Sequence, residues 1–176
     1  LIKEGIAKSN QLEAVIAMLR RFQFKEKKKE GKDLFKDIRI NIKDKILILD
    51  FEKDKGLLQK LQKIITHTDY DKGDTLKIVI GSSSIKIFID QKKESKLDDI
   101  FKEFRLKHRF ANISELSLQF PDIAIDTRGI LSTITAELSL NDVVITEFLT
   151  ATPELLIYLD EKYILKAYEI IKNLQK

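Results

Sequence analysis

The chain has no cysteine and no tryptophan, one methionine, two prolines and six glycines among its 176 residues. Without cysteine there is no disulfide, no thiolate metal site and no thiol nucleophile. So few glycines and prolines leave few places for the strained loops that build active sites. No apolar run approaches the ~20 residues that span a bilayer. Leu1 to Asn10 is too polar for the apolar region of a secretory signal. The lack of cysteine does not itself fix the compartment; with no membrane span and no secretory signal, the expectation is a cytoplasmic protein with no membrane partner. The first residue is Leu1, not Met, which points to a fragment.

Catalytic patterns are also scarce. The two histidines, His67 and His108, fall at predicted element ends among polar residues, as solvated side chains do. No His-x-x-x-His or Glu-x-x-His pair is present to hold a metal. Asp69 to Asp74 resembles the start of a calcium loop, but Ile80 stands where the twelfth-position carboxylate belongs. Gly81-Ser82-Ser83-Ser84 precedes a strand, whereas a phosphate cradle needs a helix N-terminus after it. No nucleophile–base set emerges. The expectation is a non-enzymatic protein with no cofactor and no catalytic residue.

What is abundant is charge, at 34% of residues, and apolar side chains, at 43%. That is enough for one ordinary core or two small ones. The net charge of +4 is uneven. Residues 1–32 hold nine Lys and Arg against four Glu, while the remainder holds 23 Lys and Arg against 24 Asp and Glu. The body therefore exerts no broad pull on nucleic acid, and DNA is a partner only through the N-terminal segment.

Hydrophobic spacing orders the rest. Leu12, Val15, Ile16, Leu19 and Phe22 make a helical stripe, and Lys25 to Lys32 a charged linker. Ile38, Ile40 and Ile42 alternate, then Asp44-Lys45 turns into Ile46 to Phe51, which predicts two strands joined by a short turn. A helix follows on Leu57, Leu58, Leu61, Ile64 and Ile65. Thr75–Ile80 and Ile85–Ile89 form a hairpin, and Ser95 with Asp98 caps a helix carrying Leu97, Ile100, Phe101 and Phe104. From Ile113 the order repeats: a strand to Phe120, a helix after Gly129, a strand over Val143–Leu149, a strand over Leu155–Leu159 and a helix from Asp160. Two strand–helix–strand–strand–helix runs predict an α+β architecture of tandem ferredoxin-like βαββα units, with an antiparallel sheet covered by helices and an added N-terminal helix. The divisions are 1–32, 33–107 and 108–176. The strand at 38–42 is expected to fill an edge that the units otherwise leave open.

In the last third, Asp126-Thr127-Arg128-Gly129-Ile130 stands at the first strand–helix loop, Leu138 to Glu147 enters the second strand, and Glu154 to Asp160 is followed by Lys166-Ala167. On these residues the stretch resembles an ACT domain, a regulatory module that binds amino acids and other small metabolites. Two positions depart from the family pattern. Arg128 stands where Pro commonly precedes the glycine, and Val144 where Asn often lies in the second strand. Leu12 to Phe22 resembles the closing helix of a helix-turn-helix-like module that precedes ACT domains in some archaeal proteins.

The resemblance implies a ligand site at the loop before Ile130. Asp126, Thr127, Arg128, Gly129 and Ile130 form one wall, with Asn141, Asp142 and Val143 towards the second strand. Unpaired N–H groups at the helix start suit a ligand carboxylate, with Asp126 for its ammonium and Arg128 for a bidentate bond. The alternative is that Gly129 only permits a tight turn and Arg128 is solvated. Three functions follow: a ligand-sensing regulator, an ACT-bearing transcription factor, or the regulatory part of an amino-acid-metabolism enzyme. A homodimer through sheet edges is the expected assembly.

Overall fold

The computed structural model describes residues 34–176. The N-terminal helix and basic linker expected over 1–32, and with them the helix-turn-helix resemblance and the DNA partner, lie outside the described residues. Six strands form one antiparallel sheet: β1 (Arg39–Glu52), β2 (Leu76–Ile80), β3 (Ser84–Asp90), β4 (Leu106–Gln119), β5 (Glu147–Ala151) and β6 (Glu154–Asp160). Among the described residues, α1 (Lys55–Thr66), α2 (Asp98–Glu103), α3 (Ile130–Leu140) and α4 (Ile164–Leu174) cover it. The strand order β2-β3-β1-β4-β6-β5 places the two βαββα units side by side, with β1 and β4 at the seam.

The long strands are the organising elements. Residues 39–43 of β1 pair with residues 115–119 of β4, beside the second unit. Residues 106–110 of β4 pair with residues 48–51 of β1, beside the first. Each long strand thus supplies the other unit's missing edge. The expectation of two strands around Asp44-Lys45 is corrected: β1 is continuous, and Lys45, at φ 57, makes a β-bulge. β4 repeats it with Asn112 at φ 55. The match is structural, since Ile46, just after the first bulge, pairs with Asp90, and Ile113, just after the second, pairs with Asp160.

A bulge shifts side-chain alternation by one residue. Ile38 and Ile40 before it, and Leu47, Leu49 and Phe51 after it, therefore all reach the helix-covered face. There they join two cores, one under α3 and α4 with Leu116, Leu118 and Ile157, the other under α1 and α2 with Ile85 and Ile87. The opposite face curls onto itself. Phe88 on β3 and Tyr158 on β6 have two strands between them, yet their ring centroids lie 4.6 Å apart. Ile46, Ile48, Ile113 and Leu156 complete this inner core. Among its polar members, Glu115 accepts from Tyr158 Oη at 2.6 Å and Lys77 Nζ at 2.5 Å, and Lys86 bonds Glu147 across the curl.

Other boundaries differ from the periodicity. Val143–Ile145 is not strand: Asp142, at φ 56, turns the chain out of α3, and the Val143 N–H closes onto the Leu138 carbonyl. β5 begins only at Glu147. Ser95 does not cap α2, because Gln91–Leu97 is a 3-10 helix ending on fully buried Leu97, and α2 has no side-chain cap. The boundary at 107/108 falls inside β4, which begins well before Ile113 because its first half pairs with β1.

Candidate functional site

The β4–α3 loop is built by local hydrogen bonds. β4 ends at Gln119, which pairs with Glu154 at the start of β6, and the Phe120 N–H donates to the Pro153 carbonyl at 3.1 Å. This brings the β5–β6 turn, with its cis Thr152–Pro153 peptide, beside the loop. Asp122–Asp126 is a 3-10 turn, closed by the Thr127 N–H and hydroxyl on the Ala124 and Ile123 carbonyls at 3.1 and 2.8 Å. Gly129 then takes φ 88 and becomes the N-cap of α3. A Cβ on Gly129 would meet only the Ser132 hydroxyl, at 3.7 Å, so its dihedral angle, not crowding, calls for glycine.

A glycine N-cap offers no side chain, and α3 has no side-chain cap bond. The first N–H groups of an α-helix have no partner within it. Here they open onto a groove of about 490 Å³ between the loop and the β5–β6 turn. Phe120, Ile125, Ile130, Leu131, Pro153 and Leu155 give it apolar walls, and Thr127, Ser132, Thr150 and Thr152 give it hydroxyls. Among the described residues, no charged side chain lines it. The positive end of the helix dipole is its main polar feature.

Of the residues expected at the site, Thr127, Gly129 and Ile130 line this groove. Asp126 and Arg128 are exposed beside it and outside its lining. Asn141, Asp142 and Val143 lie at the far end of α3, whose 11 residues span about 16 Å. Asn141 is the C-cap, its amide donating to the Glu137 carbonyl at 2.9 Å, and Val143 is buried in the core. The fold does not bring these three to the loop. Sequence reasoning missed Thr150, Thr152 and Pro153. Thr152-Pro153 is legible as a turn, but its position opposite the loop follows from the β4–β6 register.

The histidines take no part in the groove. His67 caps the C-terminus of α1, and His108 Nδ1 lies 3.3 Å from Asp50 Oδ2 while its ring stacks on Phe110. In the 69–74 stretch, Asp69 and Asp74 are used locally: the Asp69 N–H donates to Asp74 Oδ2, and Lys72 and Lys93 pair with the two carboxylates. Among the described residues, no three metal-ligating side chains come together. Nor is any described helix long and apolar enough to cross a membrane.

No family model and no curated protein matches the sequence. The fold, however, is similar to that of solved structures. The aspartate kinase of Clostridium acetobutylicum superposes with a TM-score of 0.64 at 20% identity, over 78% of this chain and 34% of that one. The regulatory subunit of aspartate kinase from Thermus flavus gives 0.61 at 9% identity, over 78% and 97%. E. coli aspartokinase III solved with lysine and aspartate gives 0.51 at 12% identity, over 77% and 31%. The chain thus spans about a third of the two kinases and nearly all of the regulatory subunit. What is shared is the architecture: tandem ACT-type ferredoxin-like units joined in one antiparallel sheet.

Proposed function

We propose that this chain is a non-catalytic regulatory module that binds a small carboxylate-bearing metabolite, in the first instance an amino acid, in the groove at the start of α3. The observation that carries the reading is the uncapped N-terminus of α3 opening onto a cavity of about 490 Å³. Backbone N–H groups and the helix dipole favour an anion there, and the cavity suits a molecule of amino-acid size. Arg128, exposed beside the groove, adds a cation at its rim. The ACT-type fold supports the same reading. The walls favour an amino acid whose side chain is uncharged, because a charged one would lose hydration without gaining a partner.

Thermal shift against the twenty amino acids tests this. One or a few should stabilise the protein, by about 2.7 kcal/mol at 100 times the dissociation constant. Ser132→Trp, in the exposed first turn of α3, should fill the groove and remove the shift while leaving the melt cooperative. No stabilising amino acid, or a shift that survives Ser132→Trp, would refute the site.

A second reading is favoured by the near-complete overlap with a regulatory subunit of aspartate kinase. In it, the chain is the regulatory part of an amino-acid-metabolism enzyme and its partner is a separate catalytic chain. A homodimer would form through β2 and β5, the edge strands of the described sheet. Light scattering with and without the stabilising amino acid separates a self-assembling module from one that needs a different partner.

A further inference from the structure

We propose that the first unit carries a second, independent ligand site: the cavity beside the C-terminal end of α1 binds the phosphoryl group of a small phosphorylated metabolite. The cavity holds about 270 Å³ and is bounded by the last turn of α1, the start of β2, the end of β3 and the 3-10 helix that follows. Half of its eight lining residues are basic: Lys63, His67, Lys93 and Lys96. Lys93 is paired with Asp74, and the Lys93 ammonium holds that carboxyl below the usual carboxylate range. Lys63 and Lys96 have no carboxylate partner among the described residues. Two exposed positive charges at one cavity are therefore unmatched among the described residues.

The cavity also has a polar wall. Thr75 is 6% exposed and lines the cavity. Its N–H donates to Asp90 Oδ2 at 2.8 Å, but its hydroxyl makes no hydrogen bond among the described residues. His67 Nδ1 lies 2.6 Å from the Lys63 carbonyl, which can only accept, so Nδ1 is the donor there and Nε2 makes no hydrogen bond among the described residues.

A helix C-terminus would ordinarily repel an anion. Here its carbonyls are already occupied. Lys63 O accepts from His67 Nδ1 and the Thr66 hydroxyl, Ile64 O from the His67 N–H and the Thr68 hydroxyl, and Ile65 O from the Thr68 N–H. Lysine ammoniums act as point charges on phosphate, whereas planar carboxylates favour the arginine fork, which this cavity lacks. Ile64 and Ile89 leave an apolar wall for the rest of the molecule. The cavity's volume of about 270 Å³ suits a small molecule.

The basic character is not imposed by the fold. Aligned on the helix C-caps and on the strand registers, the second unit has Glu137 in place of Lys63 and Asn141 in place of His67. Ile145 replaces Thr75, Tyr163 replaces Lys93, and of the lysines only Lys166 remains in place of Lys96.

The probe is inorganic phosphate, titrated calorimetrically against the chain at constant ionic strength set with chloride. Saturable binding is expected, weakened about tenfold or more in Lys63→Gln/Lys96→Gln. Thr75→Val should weaken it less, and Lys166→Gln should leave it unchanged. Melting in phosphate against chloride gives a parallel reading. General salting-out by phosphate stabilises wild type and double variant alike, so only the difference between them counts. Absence of saturable binding, or equal binding by the double variant, would overturn the proposal. Malonate binding as tightly as phosphate would overturn the phosphoryl assignment. Ser132→Trp should bind phosphate normally, so the failure of either site leaves the other's test intact.

Discussion

Tyr158 is the residue on which the inner face closes. It is fully buried, stacks on Phe88, and donates to Glu115, itself 8% exposed and also paired with Lys77. Burial pushes the Tyr158 phenol far above its ordinary value, and the Glu115 carboxylate pushes it further in the same direction. The neutral form is therefore favoured in the fold. Its contribution to stability is fully present below the unfolded-state value near 10 and is lost as pH rises above that towards the folded value. Tyr158→Phe should lower stability at pH 7 by about 1–2 kcal/mol, because Glu115 loses a buried donor. It should also flatten the alkaline decline by up to about 1.4 kcal/mol per pH unit. Urea titrations between pH 7 and 11 measure both effects, and an unchanged alkaline slope would contradict the assignment. Gly129 shows the opposite relation between sequence and structure: its importance is legible from its place before an apolar helical stripe. That its role is a positive φ, not close approach, is visible only in the coordinates.

The telling elements are the two bulged strands. The alternation at Leu47, Leu49 and Phe51 is readable because a strand's period is local. So is the hairpin of β2 and β3, and so is the stripe of α4, in which Ile164, Ala167 and Ile171 are buried. The bulges are not readable, since Lys45 and Asn112 hold left-handed angles with neither glycine nor proline to mark them. Asparagine tolerates that region, whereas a β-branched residue there is strained. Asn112→Gly should change stability by no more than about 0.5 kcal/mol, while Asn112→Val should cost about 1–3 kcal/mol. Chemical denaturation of the two variants checks this, and equal midpoints would mean that the bulge is not locked. The same reasoning covers the error at Val143–Ile145. Three β-branched residues in a row read as strand, but Asp142 at φ 56 spends them on a helix exit.

For the whole molecule, each long strand completes the other unit. Ile38 and Ile40 belong to the core under α3 and α4, and Leu106 to the core under α1 and α2. The units should therefore not fold apart. Residues 106–176 alone should show no cooperative melt by circular dichroism, and should recover one when co-expressed with residues 34–105. A stable monomeric fragment would refute this interdependence. The sequence by itself determined the two repeated runs, the glycine before α3 and the lack of a metal or nucleophile motif, because those depend on neighbours within a few residues. Only the tertiary structure decided that the units share one curled sheet, that Thr150, Thr152 and Pro153 face the α3 N-terminus, and that Asn141 to Val143 do not. These follow from strand register and sheet curvature, which sum contacts between residues far apart in the chain, and no local pattern encodes that sum.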